Sequence, residues 1–185
     1  MVPRQPAAET RAEIRAVAGE LFAQRGFEQT SLREIAERLG ITKAALYYHF
    51  PSKNELMSSL VQPLVDELRA LAEAVEATAQ DGAVSRDPRP TVLAYYDICV
   101  RHRQVLRGLI RDVHAIRELD ILPVIVHWRE RVDAVLVGSD DPADRVRAVV
   151  ALGGLQDTVA VFDDDELARV REAAIEAAMR ALLPG

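Results

Sequence analysis

Between Thr30 and Asn54 the sequence stops and restarts a helix twice, and each restart carries its own cap. Ser31 stands ahead of Leu32, Ile35, Ala36 and Leu39, an apolar set spaced by three and four, and Glu34 is placed to answer it in a capping box. Gly40 falls at a C-cap site, Ile41 offers an apolar anchor in the turn, and Thr42 can cap a third helix running through Leu46 to about His49. Pro51 prevents comfortable continuation, and Ser52 caps again. Punctuation this close leaves room for a helix, a tight turn and a second helix, held at an angle by Ala36, Leu39, Ile41 and Leu46.

The rest of the chain repeats its apolar residues at three and four rather than at two, and alanine, leucine, glutamate and arginine dominate. The expectation is an all-α fold of about nine helices. The first runs from about Ala8 to Arg25, with Ile14, Val17, Ala18, Leu21 and Phe22 on one face and Gly26 at its end. A long fourth helix runs from Lys53 to about Thr78 and can bend at Pro63, where one backbone donor is missing. After the loop at residues 80–90, helices are expected near 91–102, 104–112, 118–137, 142–161 and 164–182, the last two separated by Phe162-Asp163-Asp164-Asp165. Asp163 or Asp164 can cap the final helix.

The net charge of −6 argues mildly against a nucleic-acid partner, because phosphate neutralisation draws on Lys and Arg. The surplus is unevenly placed. Residues 1–55 hold eight basic and seven acidic side chains, whereas residues 56–185 hold fifteen and twenty-two, so a DNA-reading head on an acidic body remains electrostatically allowed. A single cysteine, Cys99, excludes an intramolecular disulfide framework. The start lacks a signal-peptide core, and the apolar runs are broken by charge before they could span a bilayer, so a cytoplasmic protein with no membrane partner is expected.

In the helix–turn–helix segment the second helix leaves Lys43, Ala44 and Ala45 in its first exposed turn. Small side chains there let base edges come close, alanine methyls can touch thymine methyls, and Lys43 can donate to guanine acceptors in a major groove about 12 Å wide. Tyr47, Tyr48 and His49 offer ring donors at the rim, and Lys53, in the first turn of the next helix, is placed to clamp a phosphate.

The order Gly26-Phe27, Thr30 to Ala36, Leu39-Gly40-Ile41, Leu46 to Phe50 and Ser52-Lys53 with Leu56 resembles the N-terminal domain of tetracycline-repressor-like (TetR/AcrR) transcriptional regulators. The resemblance covers about the first third of the chain. It implies a helix-turn-helix DNA-binding domain over residues 8–52, joined by the fourth helix to a helical effector-binding and dimerisation domain over residues 53–185. By the same resemblance Lys43, Ala44 and Ala45 face bases and Thr42 caps the recognition helix. Ser31 and Arg33 approach the backbone or groove edge, Tyr47, His49 and Lys53 fall at phosphates, and Tyr48 either touches DNA or packs. Phe50 turns inward.

The resemblance further implies a homodimer on a palindromic double-stranded operator, a regulator that is most often a repressor, and release by a small organic effector without any other cofactor. Residues Val149, Leu152, Gly153, Leu155 and Val159 of the eighth helix, with Val170, Ile175 and Ala178 of the last, are the candidates for a four-helix interface. The eighth helix is apolar over more of its circumference than a one-sided helix needs, and Gly153-Gly154 allows close approach. Candidate effector-lining residues are Tyr95, Tyr96, Cys99, His102, Leu106, Ile110, Val113, Trp128 and Gln156, aromatic and aliphatic walls with a few polar points.

Two other classes are open to a helical chain of this kind: a protein-interaction module that does not bind an operator, and a small enzyme using Asp97, Cys99 and His102. The enzyme lacks an orienting group or oxyanion donors in the sequence. No metal is expected, because His102, His114 and His127 are too widely spaced for a helical zinc motif and Asp163 to Glu166 lacks the spacing and glycine of a calcium loop.

Overall fold

A computed structural model describes residues 7–80, 87–111, 122–139 and 141–183. Among the described residues there are nine helices and no strand: α1 (Ala7–Arg25), α2 (Leu32–Leu39), α3 (Lys43–His49), α4 (Lys53–Gln80), α5 (Arg89–Arg101), α6 (Arg103–Arg111), α7 (Leu122–Val137), α8 (Pro142–Val161) and α9 (Asp164–Leu182). The expected start of the fifth helix shifts. Helix α5 begins two residues earlier than the periodicity suggests, because Pro90 fits the first turn, where its missing N–H costs nothing. Residues 118–121, expected in the seventh helix, lie outside the described residues.

Local chemistry accounts for the short elements. Ser31 Oγ accepts from the Glu34 N–H at 3.1 Å, Thr42 Oγ1 from Ala45 N–H at 3.1 Å, and Ser52 Oγ from Glu55 N–H at 3.1 Å. Gly40 ends α2 in the left-handed region at φ 66°, where a β-carbon would be strained. The capping box at Ser31 is only half formed, since the Glu34 carboxylate pairs with Arg25 at the end of α1 instead of returning to the cap. The complete box lies at the start of α9, where Asp163 and Glu166 satisfy each other's backbone donors.

Two apolar cores share α4. The first joins Ile14, Ala18, Leu21 and Phe22 of α1 to Leu32, Ile35 and Ala36 of α2, Leu46 and Phe50 around α3, and Leu56, Met57, Val61 and Val65 of α4. The second joins Leu64, Leu68 and Ala72 of α4 to inward faces of α5, α6, α7, α8 and α9. Packing therefore changes hands near Pro63, well inside the helix, rather than at its first residue. Full burial of a Leu, Ile or Phe is worth about 1.5–3 kcal/mol, and Leu46 and Phe50, both fully buried, hold α3 down by its inner face.

Helix α6 forms a second bridge between head and body. Gly108 lies against the Phe22 backbone, where an added β-carbon would sit 3.8 Å away, and Gly19 of α1 faces Gln104. At its other side α6 grips the end of α8. Arg103 donates to the Val159 and Phe162 carbonyls and pairs with Asp164, while Arg107 donates to the Ala160 carbonyl at 2.7 Å and the Phe162 carbonyl at 2.9 Å. Two guanidinium groups thus sit on the negative end of the α8 dipole.

Candidate nucleic-acid interface

The caps and the buried Leu46 leave the opposite side of α3 in solvent. Lys43 and Ala44 are exposed and Ala45 is half-buried. Tyr47 is 40% exposed and Tyr48 82%, a large apolar ring held outside any core. Tyr48 meets only the edge of the His49 ring, at 5.3 Å between centroids, so of its two expected placements the structure shows the surface one. The Lys43 ammonium lies 5.4 Å from the centre of the Tyr47 ring, and no ion pair engages it among the described residues. The exposed first turn of α3 is therefore short, cationic at one point and otherwise small and apolar.

Two side chains fix this helix from outside. Arg11, on α1, donates to the His49 carbonyl at 2.8 Å and stacks 4.2 Å over the Phe50 ring, closing the C-terminal end of α3. Nothing in the sequence near either residue announces that pairing. Arg33 is exposed and shares a hydrogen bond of 2.7 Å from Nε to Glu37, whose carboxylate raises its already high pKa. Ser31 keeps its hydroxyl proton after capping and stands exposed beside it.

Lys53 is placed differently from the expected phosphate clamp. Its ammonium points down into the loop between α1 and α2 and donates to the carbonyls of Phe27 at 2.9 Å, Thr30 at 3.2 Å and Glu28 at 3.5 Å. It also lies 4.3 Å over the Phe27 ring. All three ammonium protons have protein acceptors, so the residue ties the first turn of α4 to the approach to α2. Ser31, Arg33, Lys43 and Tyr47 surround the hollow above it.

The expected effector residues do not gather around a cavity. Tyr95, Tyr96, Cys99 and Leu106 are buried in the body core. The Tyr95 hydroxyl donates to Gln156 Oε1 at 3.2 Å and accepts from Arg129 at 3.0 Å, and Arg129 also donates to the buried Asp133 at 3.0 Å. Burial raises the Tyr95 pKa and the Asp133 pKa, the latter opposed by Arg129. His102 meets Glu67 at 2.9 Å, and Ile110 is 46% exposed on the outer side of α6. Trp128 is half-buried under the Arg131 guanidinium, which is itself held by Glu76. Val113 lies outside the described residues, as do Asp112 and His114. The same aromatic-rich pattern that suits a pocket suits a packed core. None of these side chains lines the apolar cleft of about 400 Å³ between α4, α5 and α7. Burial also pushes the Cys99 thiol up to about 12, away from what a nucleophile requires.

The interface candidates split in the same way. Leu152, Leu155, Val159, Ile175 and Ala178 are consumed by the protomer's own core, and Val170 packs against it. They are not available to a partner without unfolding. What α8 presents outward is another stripe: Val146 at 58% exposure, Val149 at 51%, Val150 at 59% and Val161 at 74%, with Gly153 and Gly154 between them. Both faces of α8 are apolar: the inward one is filled by the protomer's own core, and of the expected interface residues Val149 is exposed on the other. Spacing of four from Val146 to Val150 to Gly154 is the signal that separates the outer face.

A short capped helix presented over a glycine turn by a three-helix head, carried on a long helix into a helical body, defines a helix-turn-helix DNA-binding protein. The family model described as Bacterial regulatory proteins, tetR family, matches residues 14–60. The chain is 30% identical over 153 residues to the HTH-type transcriptional activator FasR of Mycolicibacterium smegmatis, covering 81% of this chain and 69% of that one. With the HTH-type transcriptional regulator AcrR of Shigella flexneri it shares 47% identity over 57 residues, 31% of this chain and 26% of that protein. The fold matches a transcriptional regulator from Aquifex aeolicus VF5 with a TM-score of 0.69 at 22% identity, over 91% of this chain and 96% of that one. The chain belongs to the tetR family and is a DNA-binding transcriptional regulator.

Among the described residues no helix is long and apolar enough to cross a membrane.

Proposed function

We propose that two copies of this chain bind a palindromic operator and repress transcription, and that a small organic molecule in the body releases them. The exposed turn Lys43-Ala44-Ala45 on a helix clamped at both ends is the observation that carries the DNA half of this reading. Lys43 donates to base acceptors and the alanine methyls meet thymine, while Ser31, Arg33, Tyr47, Tyr48 and His49 contact phosphates or the groove edge. With so few polar readers, DNA shape and deformability carry part of the selectivity. Thr42 serves as the cap and Lys53 as the brace that sets the head on α4.

The homodimer is supported by the outward valine stripe of α8, an apolar strip half or more exposed among the described residues of a single protomer. Glycines within the strip permit close helix approach. The two cores that meet along α4 near Pro63 support a division between DNA-binding and body units inside that helix, through which movement of its body end would reach the head. The sign of regulation is part of the proposal, since the FasR relative is named an activator.

Selection of bound fragments from genomic DNA, followed by gel shifts across a salt series, tests the reading. Enrichment of a two-fold symmetric sequence, whose affinity falls steeply with salt, is expected. Uniform, unselective recovery of fragments would sink the operator assignment. Transcription from an enriched promoter that rises when the protein is added would reverse the sign.

A further inference from the structure

Helix α3 is held at its C-terminal end by a side chain from another helix. Helices α1 and α2 turn on Gly26 and Gly40, and backbone amides fold back onto their last carbonyls: Gly26 N–H onto Phe22 at 2.9 Å and Ile41 N–H onto Ala36 at 3.1 Å. At the end of α3 the chain differs. Phe50 is extended, at φ −140° and ψ 97°, and Pro51 has no N–H to return. The Arg11 guanidinium takes that place, donating to the His49 carbonyl at 2.8 Å and lying 4.2 Å from the centre of the fully buried Phe50 ring. A cation there also complements the negative end of the α3 dipole. Arg11 stands one turn before the buried Ile14 on the same face of α1, so the head core anchors its backbone while the side chain reaches across. The support matters because α3 has only 7 residues, too few to persist by propensity alone.

We infer that Arg11 is a positioning residue for DNA binding, acting through the His49 backbone to fix the Tyr48 and His49 rings at the rim of the groove. The inference rests on the reading of those two rings as phosphate or groove-edge contacts, and adds the residue that sets where they stand. Tyr48 is exposed and meets the His49 ring edge-on at 5.3 Å, so its reach is decided by the backbone beneath it. A frayed last turn would leave both rings to be ordered on the DNA, at the expense of affinity. Lys43 lies at the opposite end of α3, where Thr42 caps the helix without help from Arg11. Loosening the C-terminal end therefore weakens contacts that carry no base information and spares those that do. Arg11 sets affinity on every sequence alike, in contrast to Lys43.

Gel shifts of the full chain, of Arg11→Met, of Tyr48→Ala and of the double variant test this, on the selected operator and on an unrelated duplex across a salt series. Methionine keeps an apolar stem over Phe50 and removes the donor and the charge. A helix-end charge and a stacked cation are each worth a few-fold, so with two heads per duplex Arg11→Met should weaken binding about tenfold on both duplexes. The slope of log affinity against log salt should stay as in the parent chain. In the Tyr48→Ala background the same substitution should cost about threefold, the share left to His49. The Phe50 amide, bonded to the Leu46 carbonyl, should exchange with solvent faster than in the parent chain while the amides of α1 keep their rates. A slope reduced by about 1.8 would make Arg11 a direct phosphate contact and overturn the inference. A lowered melting temperature with operator affinity unchanged would reduce Arg11 to a structural cap, and also overturns it. Losses as large in the Tyr48→Ala background as in the parent would overturn the route through the rings, and a loss confined to the operator would overturn the uniform effect. A parent chain without operator preference contradicts the operator reading itself, and the unrelated duplex then still decides the part played by Arg11.

Discussion

Lys53→Met removes an ammonium and keeps most of the stem, and so separates a brace from a phosphate contact. In the free protein the ammonium donates at 2.9 Å and 3.2 Å to the Phe27 and Thr30 carbonyls, with the Glu28 carbonyl at the 3.5 Å limit. Hydrogen bonds to charged groups are worth about 1.5–3 kcal/mol each. Two good ones in a partly exposed site, discounted for solvent, give a loss of about 2 kcal/mol in stability. For a chain of this length that lowers the melting temperature by about 4–8 °C. The same substitution in a dimer would delete two phosphate contacts if Lys53 clamped DNA, and the slope of log affinity against log salt would fall by about 1.8, at about 0.9 per contact. The brace predicts a slope unchanged within error and a lowered melting temperature, measured by thermal unfolding and by gel shifts from low to moderate salt. A slope reduced by nearly two with an unchanged melting temperature would refute the brace.

Lys43→Ala should cost about 1–3 kcal/mol on the selected operator and little on unrelated DNA, read as the ratio of the two affinities; equal losses on both would remove Lys43 from base reading. Leu155→Arg should fail to fold, because it places an unpaired charge in the protomer core at a cost of about 3–5 kcal/mol. Val150→Arg, on the outer stripe, should leave the protomer's circular dichroism intact while sedimentation shows monomers; a folded Val150→Arg dimer would displace the proposed interface. The Glu67 carboxyl is held below its ordinary range chiefly by its hydrogen bond from Arg101, with His102 assisting. A depressed carboxylate contributes stability that is present above the unfolded-state pKa and lost as pH falls through the folded-state value. Glu67→Gln should therefore flatten the acid limb of a stability-against-pH curve, and an identical limb in both proteins would show the ion pair to be idle.

The head was legible because its instructions are local. Ser31, Thr42, Ser52 and Gly40 act on backbone groups within three or four residues, and the structure uses each one as the spacing suggests. Sequence spacing fails once the partner is distant. Glu34 had an expected partner three residues back and takes Arg25 from the preceding helix instead. The Lys53 acceptors lie more than twenty residues earlier, on a loop whose carbonyls converge only after α1 and α4 have packed. Helix α8 shows a different limit. Its two apolar faces are equally apolar in the sequence, and only docking on α5, α7 and α9 decides that Leu152 and Leu155 turn inward and Val146 and Val150 outward. The same ambiguity attends the expected effector residues, since Tyr95 and Gln156 satisfy each other inside a packed core. The cleft between α4, α5 and α7 is walled by valines, alanines and threonines that no composition rule distinguishes from ordinary helix surface.

Sedimentation of the purified protein with a labelled duplex carrying the selected sequence tests the central claim most directly. Two protomers should travel with each duplex at saturation, and Val150→Arg, folded and monomeric, should bind the same duplex far more weakly. One protomer per duplex, with Val150→Arg binding as tightly as the parent chain, would contradict a dimeric operator-binding regulator.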